Sequence, residues 1–176
     1  MHTESKTSVD HFDTLYEIIS RIHTAMFVTR RADGTMHGRP MGAAQVPHGL
    51  HELFFATERD SVKVDELAQS NRVLLSYNSG GSTWATVNGH ARIVDDRNKI
   101  KELWSPLWKN WFSGPDDPTL TLICVTPEEA EYWDGGSRIG VLTKLALAAL
   151  TGKKMNEGEN ERVQLNPQAD AAKHFA

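Results

Sequence analysis

The sequence has little of what would place a protein outside the cytosol or on a nucleic acid. Its single cysteine among 176 residues excludes a disulfide within the chain and suits a reducing compartment. The net charge of −4 excludes the basic surface that nucleic-acid binding requires. The longest apolar run, Leu145 to Leu150, is too short to span a bilayer, and the first residues lack the apolar region of a signal peptide. We therefore expect a cytoplasmic protein that binds neither nucleic acid nor membrane.

The common signatures of nucleotide, metal and hydrolase sites are missing as well. Neither a G-x-G-x-x-G nor a P-loop pattern occurs, and there is no internal repeat. No Ser-His-Asp order or paired carboxylates stand out. His48 and His51 form an H-x-x-H without acidic or thiolate neighbours, so we predict a solvated pair and no metal site. The chemistry of this chain is therefore not expected to come from a metal or a catalytic triad.

Short strands dominate what is present. Asp33-Gly34 is a strong hairpin signal between two of them, and Ser79-Gly80-Gly81-Ser82 is a flexible turn before a long alternating strand. The pattern predicts a mainly β protein with flanking helices, folded as a small antiparallel barrel. The predicted strands are 24–30, 36–46, 51–57, 72–78, 83–94, 119–125 and 129–133, the last two separated at Pro127. The predicted helices are 10–22, 61–70, one starting at Asp95-Asp96 that Pro106 interrupts, and one near 141–150.

The two ends of the chain differ in composition. Residues 1–152 contain all the predicted elements and have the length of one ordinary domain. Residues 153–176 are polar, with only Val163 and Leu165 as apolar anchors. We expect 153–176 to be a loosely ordered tail.

The segment from Thr57 to Lys63 lies where a predicted strand gives way to a helix. Either Asp60 or Ser61 can cap that helix, whose first N–H groups have no intrahelical partner and carry the positive end of the helix dipole. Ser61 adds a hydroxyl and Lys63 a cation. The combination predicts a phosphate site, while the alternative is an ordinary capped surface helix with a solvated lysine.

Two further groups of residues have both a structural and a functional interpretation. Arg39 precedes Pro40 and is either a surface residue on an edge strand or a ligand of the predicted phosphate site. One helical face would carry Trp104, Trp108 and Trp111. We therefore expect these side chains to form a lid that covers the barrel or a dimer seam, rather than to stack on a substrate.

Four segments in this order resemble the FMN-binding split-barrel superfamily that includes pyridoxamine 5′-phosphate oxidase, and its general stress protein branch most closely. Their order and separation span residues 10–138, nearly the whole folded part of the chain. The segments are Arg39-Pro40-Met41; Thr57, Ser61 and Lys63; Trp104 to Phe112 followed by Asp116-Asp117-Pro118; and Glu131-Tyr132-Trp133-Asp134-Gly135. One departure is Ser113, which stands where this branch leads us to expect proline.

The resemblance implies a split antiparallel barrel over residues 1–152 that binds FMN, with FAD less favoured. Thr57, Ser61 and Lys63 would hold the FMN phosphate. The oxidase branch has Ser-Arg-Lys where this chain has Ser61-Val62-Lys63, so Arg39 is the natural substitute for the missing cation.

The flavin ring would lie on the strand of Pro40 and Met41. It would also meet Trp133 from the partner subunit of a homodimer.

The implied functions are a flavin-dependent oxidoreductase acting on an unidentified small molecule, or a flavin-binding or sensing protein without efficient turnover. A haem- or deazaflavin-binding relative is a third reading. The pyridoxal phosphate contacts of the oxidase branch are not recognisable, so we do not expect pyridoxamine phosphate oxidase activity.

Overall fold

The computed structural model of the chain describes residues 8–44, 50–134 and 159–165. These residues form three α-helices, one short 3-10 helix and seven strands. In chain order the elements are α1 (Ser8–Arg21), β1 (Thr24–Arg30), β2 (Met36–Gly42), β3 (Leu53–Glu58), α2 (Val62–Gln69), β4 (Arg72–Asn78), β5 (Thr83–Val94), α3 (Arg97–Leu103), the 3-10 helix (Pro106–Asn110), β6 (Leu120–Asp134) and β7 (Glu159–Gln164). None of the helices in these parts of the chain is long and apolar enough to cross a membrane.

All seven strands belong to one antiparallel sheet that curls into a barrel without closing. The strand order is β2-β1-β4-β5-β6-β3, and β7 also pairs with β6. The two end strands, β2 and β3, approach each other just beyond β2, where Ala43 forms an isolated bridge to Phe55 and the Ala44 N–H donates to the Phe54 carbonyl. The barrel is therefore split between β2 and β3, which confirms the predicted split-barrel class.

The apolar residues form two cores, one on each side of the sheet. The larger lies inside the barrel, where α1 packs Leu15 and Ile19 against the inward side chains of the strands. The smaller lies outside β3 and β6 and is covered by α3 and the 3-10 helix. Cys124 is fully buried in this second core, as predicted.

The tryptophan-rich segment forms the cover of the second core. Trp104 and Trp108 meet edge to face with their ring centroids 5.8 Å apart, and Trp108 is buried. Trp111 is instead exposed. Pro106 ends the helical face that the sequence suggested, because α3 stops at Leu103 and a 3-10 helix starts at the proline. Trp104 and Trp108 thus cover the second core outside the barrel, and Trp111 takes no part in it.

The corner after this segment accounts for the departure at Ser113. Both the backbone N–H and the hydroxyl of Ser113 donate to one oxygen of Asp117, and the N–H and hydroxyl of Thr119 donate to the other. These four hydrogen bonds lower the pKa of Asp117. A proline at position 113 could supply neither of the Ser113 bonds. The serine therefore stabilises this corner through hydrogen bonds to Asp117, which the expected proline could not make.

The prediction of two strands separated at Pro127 is wrong. Residues Leu120–Asp134 form one strand that pairs with β5 from Leu122 to Asp134, with a register shift beside Gly89. Gly89 lies opposite Pro127, and its Cα approaches the β6 backbone so closely that a Cβ would lie 2.4 Å from the Thr126 carbonyl oxygen. A bulge opposite a glycine accommodates the proline, which has no N–H to donate, without ending the strand.

The expectation of a loosely ordered tail is wrong for residues 159–164, which form β7 along β6. Val163 enters the main core and Leu165 packs against it, so the two predicted anchors bury apolar surface. The Leu165 N–H donates to the Glu128 carbonyl and continues the pairing. The helix predicted near 141–150 lies outside the described residues.

Candidate functional site

The candidate site lies at the split in the barrel, where β3 leads into α2. Thr57 is the second-last residue of β3 and is buried, and Ser61 is the N-cap residue of α2 with extended backbone angles, φ −83° and ψ 147°. The Ser61 hydroxyl makes no capping hydrogen bond and lies 3.1 Å from the Thr57 hydroxyl. The two hydroxyls are therefore adjacent at the N-terminus of the helix, where the dipole is positive.

Lys63 occupies the first turn of α2 and is half-buried. Burial lowers the pKa of its ammonium group, and the positive charge of Arg39 lowers it further, while Glu58 and Glu66 act in the opposite direction. Two cations, one from α2 and one from β2, are thus close enough to repel each other. An anion between them would relieve that repulsion.

Arg39 points into the barrel although β2 is an edge strand. Its side chain is 17% exposed and donates from Nη2 to Glu66 Oε2 at 2.5 Å and from Nη1 to the Thr29 hydroxyl at 2.9 Å. The interpretation of Arg39 as a surface residue is therefore wrong. Pro40, its neighbour, is exposed on the outer side of the same edge strand.

A buried carboxylate organises these groups. Glu66 on α2 is 4% exposed and accepts hydrogen bonds from Thr29 and Arg39, with His37 Nδ1 also 2.9 Å from Oε1 and Arg31 Nε 3.5 Å from Oε1. Burial alone would raise its pKa, but these hydrogen bonds and the charge of Arg39 lower the pKa of Glu66 from 4.5 to about 2. Glu66 is therefore ionised near neutral pH, within a cluster in which cations outnumber it.

The other predicted site residues lie apart from this cluster. Met41 is a buried member of the main core. Trp133 is partly exposed near the end of β6, directly opposite Trp84 of β5. Thr57 pairs with Thr121 of the same strand β6. Because Trp133 follows Thr121 by twelve residues, about 40 Å of strand at ~3.3 Å per residue separates the two ends.

A cavity of about 470 Å³ lies elsewhere, between α1 and the turn that joins β4 to β5. It is lined by Thr14, Glu17, Ile18 and Arg21 of α1, by residues 79–83 and by Asp134. None of the predicted site residues lines it. The candidate site is thus defined by converging polar side chains at the N-terminus of α2, and not by this cavity.

Comparison with known proteins identifies the family. Residues 10–156 match the family model described as pyridoxamine 5′-phosphate oxidase like. The protein bli-3 of Neurospora crassa is 31% identical over 157 residues, which cover 80% of this chain and 75% of that protein.

Two solved structures are similar as well. A general stress protein 26 homologue from Jannaschia sp. CCS1 superposes with a TM-score of 0.72 at 22% identity, over 90% of this chain and 99% of the other, and shows the same fold. The general stress FMN/FAD binding protein of Xanthomonas citri has a TM-score of 0.61 at 27% identity, over 71% of this chain and 89% of the other.

The chain therefore belongs to the pyridoxamine 5′-phosphate oxidase-like family, whose split-barrel fold it has. Within the family it belongs with the general stress proteins, the branch that the four sequence segments indicated.

Sequence reasoning missed four residues of the cluster, namely Thr29, Arg31, His37 and Glu66. Glu66 carried a weak signal, since it follows Lys63 by three residues and therefore shares its side of the helix. The other three carried none, because β1, β2 and the turn between them look like an ordinary hairpin until α2 is placed beneath them.

Proposed function

We propose that this protein binds FMN, with the phosphate held by Ser61, Lys63 and Arg39 at the N-terminus of α2. The observation that carries the proposal is the convergence of a hydroxyl, an ammonium and a guanidinium from two elements at a helix N-terminus. A dianionic phosphate there would accept charge-assisted hydrogen bonds and neutralise the repulsion between the two cations. Family membership and the FMN/FAD binding relative support a flavin.

We favour FMN over FAD because the cluster is suited to one terminal phosphate. FAD would need room beyond the phosphate for a second phosphate and an adenosine. Pro40 and the backbone of β2 lie next to Arg39 and are the proposed support of the flavin ring. When bound, the flavin supplies the redox chemistry, while the protein orients the ring and controls its surroundings.

The first test is the absorption spectrum of the purified protein, with chromatography of the released chromophore. In titrations of the apo protein, we expect FMN to bind at least tenfold more tightly than riboflavin, because the three phosphate ligands have nothing to hold in riboflavin. A hydrogen bond to a charged group is worth roughly 1.5–3 kcal/mol, so one such bond suffices for that difference. Equal affinities for FMN and riboflavin would contradict the proposed phosphate site.

We also propose that the protein works as a homodimer, because one chain cannot bring Trp133 to the phosphate cluster of the same chain. The outer face of the sheet carries exposed apolar side chains, among them Met26, 45% exposed, and Trp84, 48% exposed. Trp133 continues this face beside Trp84. A second copy seated there would bury these side chains and carry its own Trp133 toward the flavin.

The dimer can be tested by replacing Trp84 with arginine. We expect light scattering to report a dimer for the wild type at micromolar concentration and a monomer for Trp84→Arg, because a charge in the middle of an apolar interface loses its hydration. Ile93→Arg changes another exposed apolar residue at the far end of β5 and should stay dimeric. A monomeric wild type would contradict the proposal and the role of Trp133.

The activity we propose is flavin-dependent oxidoreduction of a small molecule. Binding or sensing of FMN without turnover is the second candidate, favoured by the absence of a catalytic acid or base among the predicted site residues. Anaerobic reduction of the bound flavin, followed by the rate at which air restores its absorption, distinguishes the two. Slow reduction by all common reductants would favour the sensor.

A further inference from the structure

A closed ring of three hydrogen bonds joins Arg39, Thr29 and Glu66. Arg39 Nη1 donates to the Thr29 hydroxyl at 2.9 Å, that hydroxyl donates to Glu66 Oε2 at 2.6 Å, and Arg39 Nη2 donates to the same oxygen at 2.5 Å. Thr29 is fully buried and Glu66 nearly so. The ring therefore holds one edge of the guanidinium in a defined orientation before any ligand binds.

The remaining donors of Arg39 are free of this ring. A guanidinium has five N–H groups in a planar fork, and the ring uses one on Nη1 and one on Nη2. His37 Nδ1 lies 2.6 Å from Nη2 and 2.9 Å from Glu66 Oε1, so this one ring nitrogen is next to both members of the ion pair. The Nε proton and the second Nη1 proton remain outside these contacts; they lie on opposite edges of the guanidinium, and either one can donate to an anion.

Glu66 also connects the two elements that carry the cations. It lies on α2 one turn after Lys63, on the same side of the helix, while Arg39 lies on β2. The carboxylate thus fixes the position of a β2 guanidinium relative to the helix that carries Ser61 and Lys63. Without it, the flexible arginine would have to be ordered when the ligand binds, at a cost in side-chain entropy.

We propose that Glu66 is a positioning residue for the phosphate site. It holds Arg39 both directly and through Thr29, so that the guanidinium is already oriented when a flavin phosphate binds. This inference rests on the proposed FMN binding and assigns Glu66 no contact with the ligand. Glu66 acts on binding by contact with Arg39, and its charge also attracts the nearby Lys63. The competing view is an ion pair that stabilises the fold and has no part in binding.

The test is Glu66→Gln in the full chain, with FMN and riboflavin titrated separately and the melting temperature of the apo protein measured. We expect FMN affinity to fall about five- to thirtyfold and riboflavin affinity to stay within twofold. In an Arg39→Ala background, Glu66→Gln should cause no further loss of FMN affinity, because nothing remains for Glu66 to hold.

Three results would overturn the inference. They are an unchanged FMN affinity for Glu66→Gln, an equal loss for both ligands, and the same loss of FMN affinity with and without Arg39. A wild type that binds riboflavin as tightly as FMN would overturn the proposed function instead. If the wild type and the Glu66→Gln variant both bind FMN more tightly than riboflavin, and by the same factor, only the positioning role of Glu66 is contradicted.

A second pair of variants keeps the test decisive if Glu66→Gln does not fold. Thr29→Val removes the hydroxyl from the ring at similar volume, and Thr29→Ser restores it. We expect the valine variant to lose FMN affinity several-fold without loss of riboflavin affinity, and the serine variant to bind FMN like the wild type. Equal FMN affinities in the two variants would contradict the ring's role.

Discussion

Lys63→Ala is expected to weaken FMN binding about ten- to a hundredfold and to leave riboflavin binding unchanged. Lys63 lies in the first turn of α2, where its ammonium can reach a phosphate at the helix N-terminus. A hydrogen bond to a charged group contributes roughly 1.5–3 kcal/mol, and about 1.4 kcal/mol corresponds to a tenfold change in affinity. Quenching of flavin fluorescence on titration with apo protein measures both affinities.

The stability of the apo protein should hardly change in the same variant. Burial and the neighbouring Arg39 lower the pKa of Lys63, so its charge is not favoured in the folded state without ligand. Its removal should leave the melting temperature unchanged or slightly raised. Lys109→Ala, at an exposed lysine of the 3-10 helix, is the matched control and should affect neither measurement. If Lys63→Ala binds FMN within twofold of the wild-type affinity, Lys63 does not contribute to phosphate binding.

Gly89→Ala is expected to destabilise the protein more than any other single methyl addition at the glycines of its sheet. The new Cβ would lie 2.4 Å from the Thr126 carbonyl oxygen and 3.1 Å from the Pro127 Cα, and both atoms belong to the backbone of β6. Overpacking of this kind costs typically 1–3 kcal/mol. Because backbone cannot rotate aside, we expect about 3 kcal/mol, roughly a 6–12 °C lower melting temperature for a chain of this size.

Gly114→Ala is the matched control, because a Cβ there meets no atom within 4 Å and the backbone angle is not one reserved for glycine. It should leave the melting temperature unchanged or raise it slightly, through a lower entropy of the unfolded chain. A Gly89→Ala variant as stable as Gly114→Ala would show that the bulge in β6 can shift freely. The continuous pairing of β5 with β6 would then not depend on this glycine.

The sequence pattern was sufficient to predict the strands that depend on local alternation. The bounds of β1, β4 and β5 agree with the predicted ones, because side chains of alternating polarity can bury only one face of a pleated strand. Ile93 is one exception, since it shares the inward set of β5 and is still 39% exposed. The start of α2 was also predictable, because a capping residue and the helical spacing after it are local features.

The candidate site was predictable in part for the same reason. Ser61 and Lys63 are two residues apart on one helical turn, so their proximity follows from the sequence. The sequence could not show whether Arg39 points inward or to solvent, because glycine and proline interrupt the alternation of side chains in β2. Only the placement of α2 under β1 and β2 decides it, through the ion pair with Glu66.

By itself, then, the sequence determined the family, the split-barrel class, the bounds of three of the seven strands and the local half of the candidate phosphate site. The tertiary structure alone decided that Pro127 lies within a continuous strand, that residues 159–164 add a strand to β6, and that Glu66 meets Thr29 across 37 positions of the chain. Each of these features depends on a partner distant in sequence. Such contacts form only when the whole fold brings two segments together, and neither segment alone records them.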